Sequence, residues 1–439
     1  MSILYFKGMR KLRNTLLLTT ASMLLGGQAL AADMHSSLSA LLESHPRLTA
    51  EIENINAAKA AIDGARAGYL PRLDTTAAYG YEDTDRTGLV PAGDSFDLQS
   101  KAASITATQN IFEGFRTNAS VDSAASLAKQ AEAAMQSTQQ QLLFEGSSAY
   151  IAVLRQIKLT QLSERNMATL STQLDLEDER VERGSGVAVD VLQAKSRLQI
   201  AKERYTAFVG GLEESLARYV QVFGAAPQIE TMELAPLPAQ HIPETLELAI
   251  ELATANQPTL KAVESNINSL AYQKQAANAA FYPSVDIVAS SSYDDNIAGI
   301  RGTDISNSVV LRGNWNLFSG YADESRHKQA VAQHQSAIAT GQDTKRRIIE
   351  EVKLAWAALN TSKKRAELLD NAVNIAGEVY DARKRLRDVG KDTALNVLDA
   401  ENELFRAQID AAAAKYDYHT ATYRLLLATG SLTLSLADG

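Results

Sequence analysis

The segment 385–399, with the sequence RLRDVGKDTALNVLD, closes one long helical pattern, turns at Gly390 and opens a second helical pattern. An earlier segment, 179–193 with the sequence ERVERGSGVAVDVLQ, has the same organisation 206 residues upstream. A helix that ends at a glycine and restarts within a few residues is typical of a helical hairpin. The two segments therefore predict two hairpin tips in a duplicated chain.

The rest of the chain repeats in the same order. Leu-Pro-Arg-Leu-Asp at 70–74 returns as Tyr-Pro-Ser-Val-Asp at 282–286, and Asn-Ile-Phe-Glu-Gly at 110–114 returns as Asn-Leu-Phe-Ser-Gly at 316–320. After each tip, apolar residues recur at alternating spacings of three and four, which predicts a long helix with a coiled-coil seam. Matches in this order over this length predict a tandem duplication.

These matches predict the domain organisation. Residues 1–31 form a signal peptide, 32–224 the first repeat and 225–243 a proline-rich linker, which would be the equatorial region between the repeats. Residues 244–430 form the second repeat and 431–439 a C-terminal tail. In the first repeat we expect strands at 73–82 and 98–112, a long helix at 116–183 and a shorter helix at 188–223. In the second repeat we expect strands at 285–293 and 307–318, a long helix at 323–388 and a shorter helix at 393–429. Helices of about 67 residues would be rods roughly 100 Å long.

The N-terminal segment has the features of an export signal. Four basic residues precede a short apolar core, and Ala29-Leu30-Ala31 fits the cleavage rule, so the mature chain would begin at Ala32. Translation could start at Met1 or at Met9. A membrane anchor is the alternative, but the apolar core is shorter than the ~20 residues that a span needs. Removing 1–31 changes the formal net charge from −9 to −13, which does not favour nucleic-acid binding.

The composition gives no support to an enzyme. The chain has no cysteine, which excludes a disulfide framework, a thiolate metal site and a cysteine nucleophile. Its six histidines lack metal-ligand spacing, and the chain contains no phosphate-binding glycine pattern and no nucleophile elbow. We therefore predict no catalytic residue, no metal site and no cofactor.

The four predicted strands alternate apolar and polar residues. This alternation is typical of an outer-membrane barrel, although a sheet packed on a soluble helical domain would also show it. Four strands cannot close a barrel, whereas three copies would supply twelve under threefold symmetry. Asp74, Asp286 and Arg312, on the polar side of the alternation, are candidates for lining a pore.

Together these features resemble the TolC-type outer-membrane channel family, which includes outer membrane efflux proteins and type I secretion outer membrane proteins. The resemblance is carried by ARAGYLPRLD at 65–74, NIFEGF at 110–115, NLFSGY at 316–321 and VGKDTALNVLDAENEL at 389–404. It implies a mainly α fold with a β-barrel part, in which duplicated coiled-coil hairpins form an α-helical tunnel below a trimeric 12-stranded barrel.

The resemblance also implies a location and a function. The homotrimer would lie in outer-membrane lipid, extend into the periplasm and act as a passive exit duct for type I protein secretion or tripartite efflux. Its tips would dock with a periplasmic adaptor (membrane fusion protein) and an inner-membrane ABC exporter or other pump. The residues leave open which cargo and which pump this chain serves.

The tips carry the site residues that the resemblance implies. The second tip of the family resembles V-G-x-R-T-x-x-D-V-L-D, whose two aspartates surround the periplasmic entrance. Here Asn396 and Asp399 stand at the two aspartate positions, and Asp392 replaces the arginine. In the first tip Asp190 occupies the first position and Gln193 the second. The aperture would thus be formed by Asp190, Asn396 and Asp399, unless these are solvated first-turn residues favoured by the helix dipole.

Six further tip residues match positions that in the family meet the adaptor: Arg183, Gly184, Val187, Val389, Gly390 and Thr393. The two glycines also have a structural explanation, because the turn requires a positive φ. Two other functions remain open at this point. One is a periplasmic coiled-coil adaptor or scaffold without a pore, and the other is an exported hydrolase, for which the sequence supplies no catalytic residues.

Overall fold

The computed structural model describes residues 34–84, 96–184, 186–298 and 300–437. The predicted signal peptide at 1–31 lies outside these ranges. Among the helices that they contain, none has the combination of length and hydropathy that a membrane span requires.

Each repeat contains four helices and two strands in the same order. The first repeat consists of α1 (Met34–Ser44), α2 (Pro46–Arg66), β1 (Arg72–Thr84), β2 (Phe96–Phe112), α3 (Arg116–Glu182) and α4 (Ala188–Phe223). The second consists of α5 (Leu246–Asn256), α6 (Pro258–Asn278), β3 (Ser284–Asp295), β4 (Thr303–Asn314), α7 (Ala322–Asp388) and α8 (Ala394–Ala428). Pro46 and Pro258 occupy the first positions of α2 and α6, where the missing N–H costs nothing, so each proline separates a short helix from a longer one.

The four strands form one antiparallel sheet in the order β1-β2-β3-β4. Both hairpins have the same register, because Arg72 lies opposite Thr108 in the first and Ser284 lies opposite Asn314 in the second. The pairing of β2 with β3 joins the two repeats. Within the described residues, β1 and β4 each have a strand on one side only, so the sheet is open at both edges.

The fourth strand differs from the sequence prediction of 307–318, since β4 runs from Thr303 to Asn314. It begins earlier because β3 continues to Asp295, which pairs with Thr303. It ends earlier because β3 starts just after Pro283, which has no backbone N–H for a ladder bond. Beyond the strand, the Trp315 indole N–H donates to the carbonyl oxygen of Phe281 at 3.3 Å. The other strands and the long and tip helices begin and end within two residues of the predicted bounds.

Each long helix has shorter helices packed along it. In the first repeat, α2 lies along the strand-proximal half of α3 and α4 along the tip-proximal half. Gly146 marks the middle of α3, since a Cβ there would lie 2.6 Å from Leu38 of α1 and 3.3 Å from Phe223 at the end of α4. A 67-residue helix is about 100 Å long. The chain is therefore a long rod with the sheet at one end and the tips at the other.

The largest apolar core lies at this middle level. It joins both repeats through buried residues such as Tyr150 on α3 and Tyr423 on α8. The proline-rich linker packs here as well, because the Tyr150 hydroxyl donates to the Glu233 carbonyl and accepts from the Glu233 N–H, both at 3.2 Å. The segment predicted as a C-terminal tail also contributes, with Leu432 and Leu436 buried in the core.

Candidate functional site

The second tip is a helix-to-helix turn held by backbone hydrogen bonds. Gly390 has a φ of 73°, and its N–H donates to the Arg387 carbonyl at 2.8 Å. The next N–H, from Lys391, reaches back to the Leu386 carbonyl at 2.8 Å, which completes the bond pattern of a Schellman motif. Thr393 caps α8, because its hydroxyl oxygen accepts the Asn396 N–H at 3.3 Å.

The first tip turns in the same way at Gly184, which has a φ of 74°. Its N–H donates to the Val181 carbonyl at 3.0 Å, and the Arg183 guanidinium donates to the Glu179 carboxylate one turn back. Here Val187 occupies the N-cap of α4, and its side chain cannot accept a hydrogen bond. The first tip therefore lacks the polar cap of the second.

The predicted adaptor-contact residues are accessible at both tips. Gly184, Val187, Val389, Gly390 and Thr393 are exposed, as is Arg183. A Cβ added at Gly184 or Gly390 would have no atom within 4 Å. The positive φ at these two positions is what favours glycine, and the space around each turn is free.

Asp392, at the position of the family arginine, organises the second tip. Its carboxylate accepts the Thr393 N–H at 2.8 Å, the Asn396 amide N–H at 2.6 Å and the Arg383 guanidinium at 3.2 Å. These hydrogen bonds, led by that from Asn396, hold the pKa of the Asp392 carboxyl below its usual range. Asn396 is therefore a donor to a neighbouring carboxylate at a position where the family has an acceptor.

Two ion pairs join the repeats near the tips. Glu177 on α3 pairs with Arg387 on α7, and their side chains are only 7% and 13% exposed. Arg197 on α4 pairs with Asp399 on α8 and also donates to the Leu398 carbonyl at 3.0 Å. The structure thus gives Asp399 a cationic partner that sequence reasoning did not identify.

Asp190 has a different environment from Asp399. It is half-buried in the first turn of α4, where its N–H donates to the Val187 carbonyl at 2.9 Å. Within the described residues, its carboxylate has no side-chain hydrogen bond or ion pair, whereas Asp399 is paired with Arg197. The two acidic positions at the tips are therefore electrostatically unequal.

Sequence reasoning also did not identify a buried acid close to the tips. Glu401 on α8 is only 5% exposed, and burial raises the pKa of its carboxyl to about 7, opposed by Gln173 and by the charges of Arg197 and Lys384. The sequence signal was weak, because Glu401 stands beside the apolar seam positions Ala400 and Leu404 and looks like an ordinary helix-surface acid.

The sheet has one polar face and one apolar face. Asp74, Asp286 and Arg312 lie on the polar face, where Asp286 is directly opposite Arg312 and accepts a hydrogen bond from the Asn110 amide at 2.9 Å. The apolar face is exposed along its length. Its exposed side chains include Leu73, Tyr79, Tyr81, Ile105, Ile305, Val309 and Leu311. A large exposed apolar surface marks a membrane or protein contact. Among the described residues, no group of histidine and acidic side chains has the arrangement of a metal site.

A family model described as "outer membrane efflux protein" matches residues 37–225 and 249–431, which is most of both repeats. The chain belongs to the outer membrane efflux protein family. The family match confirms the predicted resemblance and an outer-membrane location. This is a family of channels and not of enzymes.

Relatives in this family agree over nearly the whole chain. The outer membrane efflux protein BepC of Brucella suis is 25% identical over 98% of this chain and 92% of its own length. The alkaline protease secretion protein AprF of Pseudomonas aeruginosa is 24% identical over 93% of this chain and 87% of its own. Family members named for efflux and for secretion are thus about equally similar to this chain.

Solved structures of outer-membrane proteins share the fold. The outer membrane protein VceC of Vibrio cholerae superposes with a TM-score of 0.78 at 18% identity, over 90% of this chain and 96% of that chain. The outer-membrane channel OprN gives a TM-score of 0.77 at 18% identity, over 91% of this chain and 90% of that chain. The predicted fold class, long helical hairpins with a barrel part, is confirmed.

Proposed function

We propose that three copies of this chain form a passive exit duct, with a twelve-stranded barrel in the outer membrane and a helical tunnel in the periplasm. The observation that carries this proposal is the pairing of β2 with β3. This pairing joins the last strand of the first repeat to the first strand of the second repeat. The equivalent strands, β4 and β1, have unpaired edges. Repeating the junction between copies would close a ring with no free edge.

The duplication specifies how that contact would be made. Adding 206 to a β2 position gives its β4 equivalent, and subtracting 212 from a β3 position gives its β1 equivalent. The Asn110–Asp286 hydrogen bond within one chain then corresponds to Asn316 of one copy and Asp74 of a neighbour. Both residue types are retained, so the edges can form the same bond that β2 and β3 form inside the chain.

The two faces of the sheet support the same assembly. In a closed ring the exposed apolar face would meet lipid, and the face with Asp74, Asp286 and Arg312 would line the water-filled pore. The alternative, a periplasmic adaptor or scaffold without a pore, leaves the exposed tyrosine and aliphatic residues of β1 and β4 without a role.

Fractionation and reconstitution test this proposal. We expect the chain in the outer-membrane fraction as a detergent-requiring trimer that produces discrete conductance steps in planar bilayers. Recovery as a soluble periplasmic protein, or a membrane trimer without conductance, would contradict the duct.

The tips would form the periplasmic mouth of the duct, with Asp190, Asn396 and Asp399 at its aperture. The Arg197–Asp399 and Glu177–Arg387 pairs hold the two repeats together at this level, so opening would require them to separate or move as a unit. Asp399→Ala should enlarge the single-channel conductance and weaken block by divalent cations. Unchanged conductance and unchanged block would exclude Asp399 from the aperture.

The exposed turn residues would contact a periplasmic adaptor, which would connect the duct to an inner-membrane ABC exporter or other pump. Support comes from the free space around Gly184 and Gly390 and from the exposed Arg183, Val187, Val389 and Thr393. Replacing both glycine turns should abolish crosslinking to the adaptor while the trimer persists. Crosslinking that survives the replacement would place the adaptor elsewhere on the rod.

A further inference from the structure

Glu401 is a buried acid whose carboxylate oxygens form no hydrogen bond of normal geometry within the described residues. Both of its carboxylate oxygens are closed off from solvent, and neither has a partner within the described residues. The Gln173 amide on α3 is close enough to oppose the rise in the pKa of the Glu401 carboxyl, but it forms no hydrogen bond of normal geometry with it. The side-chain oxygen of Gln173 is also unsatisfied. An ionised carboxylate in such a position is costly, whereas a protonated one costs much less.

The carboxyl lies where α8 of the second repeat packs against α3 of the first. On α3 it faces Gln173, with Glu177 and Arg165 nearby in the same groove. The charges acting on it from the other helices are Arg197 on α4 and Lys384 on α7.

The remaining neighbours occupy the same groove. Tyr380 of α7 forms its wall, and burial together with the charge of Glu401 raises the pKa of the Tyr380 hydroxyl. Arg387 is engaged by Glu177, and Arg197 is engaged by Asp399. The cations near Glu401 are therefore committed to other partners or, like Lys384, exposed to solvent.

The groove is not fully packed around this carboxyl. A cavity of about 230 Å³, lined by Glu401 and Tyr380, extends toward the middle of the rod. A second cavity, of about 400 Å³, lies closer to the tip and is lined by Gln173 and Tyr380. Separation of α8 from α3 would join these spaces and admit water to the carboxylate. Hydration would return the pKa of the Glu401 carboxyl toward its ordinary value, so the packed and separated arrangements differ in their affinity for a proton.

We propose that Glu401 makes separation of the two repeats at the tips proton-linked, so that a bound proton favours the packed, closed arrangement and its release favours opening. The inference rests on the proposed duct function, because closure at the tips matters only to a conduit. It assigns the pH response to a residue outside the aperture positions Asp190, Asn396 and Asp399.

The sign follows from the direction of the shift. In the packed arrangement the pKa of Glu401 is raised from its ordinary value of 4.5 to about 7. Below pH 4.5 both arrangements hold the proton, and above pH 7 both release it. Between these values, a single linked proton makes opening about tenfold more favourable per pH unit as the pH rises.

Cysteine labelling can measure this linkage, since the natural chain has no cysteine. Leu170→Cys would place a thiol at a buried position that packs with Leu398 of α8. Leu176→Cys, exposed on the same helix, would supply the reference rate and cancel the pH dependence of the thiol itself. The ratio of the two labelling rates should rise about tenfold per pH unit between pH 5 and 7 and level off above it.

Two variants and one matched control test whether Glu401 carries the pH response. Glu401→Gln, which is permanently neutral, should hold the labelling ratio at its low-pH value throughout, whereas the matched variant Glu403→Gln, exposed on the same helix, should keep the wild-type profile. Lys384→Met, which removes a charge that lowers the Glu401 pKa, should move the midpoint to higher pH. A pH response that survives Glu401→Gln, or a midpoint unmoved by Lys384→Met, would overturn the proposal.

Bilayer conductance over the same pH range separates this inference from the duct itself. A conducting trimer whose pH response is unaffected by Glu401→Gln would leave the duct standing and refute the switch. A labelling response without conductance would refute the duct, because labelling needs no pore.

Discussion

At the scale of single residues, two ion pairs join the repeats near the tips and differ in how exposed they are. The Glu177–Arg387 pair is nearly enclosed, while the Arg197–Asp399 pair has its acid 60% exposed. Exposed pairs contribute little to stability, whereas removing one member of an enclosed pair leaves a buried charge. The two pairs should therefore respond differently to mutation.

Arg387→Met should destabilise the tip by leaving Glu177 with Arg180 alone, which lies 3.5 Å away. Breaking a buried pair costs about 3 kcal/mol or more, and the remaining arginine should reduce this to roughly 2 kcal/mol. Faster hydrogen exchange confined to the tip-proximal ends of α3 and α7 is the expected measurement. Arg385→Met is the matched control, since Arg385 is exposed on the same turn, and its exchange should match that of the wild type.

His419 should make the middle of the rod sensitive to acid. Burial, with a smaller effect of Lys415, lowers the pKa of this histidine from 6.5 to about 4. Because the folded chain holds it neutral, unfolding takes up a proton between these values, and stability falls as the pH drops from 6.5 to 4. The full effect is about 3 kcal/mol.

Thermal denaturation of His419→Gln across this pH range checks the expectation. The variant should lose most of the dependence on pH, while His241→Gln, an exposed histidine of the linker, should retain it. A pH profile that is the same in both variants would mean that other groups cause the acid sensitivity.

At the scale of elements, the close packing at the centre of α3 fixes where the shorter helices meet. Gly146 is tolerated in the middle of a long helix because Leu38, Leu41 and Phe223 leave no room for a side chain. Glycine lowers helix stability by roughly 0.5–1 kcal/mol relative to alanine, so its presence here is explained by the contact between helices.

Gly146→Ala should therefore destabilise the chain by about 1–3 kcal/mol through overpacking, despite the better helix propensity of alanine. Gly210→Ala in α4 is the matched control, because a Cβ there meets no atom within 4 Å, and the change should be neutral or slightly stabilising. Comparing the melting temperatures of the two variants measures the difference. Equal melting temperatures would show that α1 and α4 can move apart at no cost.

At the scale of the whole molecule, the open sheet edges β1 and β4 are where copies of the chain would pair in the proposed trimer. In that trimer the equivalence between repeats would place Gly313 of one copy opposite Ala77 of the next, as Ala107 lies opposite Ala289 within the chain. In a single copy β1 and β4 are three strand spacings apart, about 14 Å, which is too far for a disulfide.

The double variant Ala77→Cys/Gly313→Cys should therefore form only intermolecular disulfides, giving dimers and trimers and no larger species on a denaturing gel. Ala107→Cys/Ala289→Cys, its equivalent inside the chain, should form a disulfide within the monomer and so controls for geometry. A ladder that continues beyond three, or monomer alone while the control pair oxidises, would contradict a closed trimer.

Much of the fold could be predicted from the sequence because its signals are local and repeated. Helical periodicity, the prolines at the starts of α2 and α6 and the glycines at the tips act within a few residues and occur twice. The end of β4 could not be predicted, since it depends on where β3, the adjacent strand of the hairpin, begins. In a trimer, the residues after Asn314 would pair with β1 of a neighbouring copy, just as the last residues of β2 pair with β3 within the chain.

The amino-acid sequence specifies the duplication, the long hairpins, the alternating strands and the position of the tips, because each follows from a pattern along the chain. Three further features follow from packing and not from any such pattern: Asp399 meets Arg197, Asp392 binds Asn396, and Glu401 is buried without a hydrogen bond of normal geometry. Two of these three depend on packing between helices about 200 residues apart, and the other depends on how the chain folds at the turn. No pattern along a single helix specifies such contacts, since the same residues on an isolated helix would all be solvated.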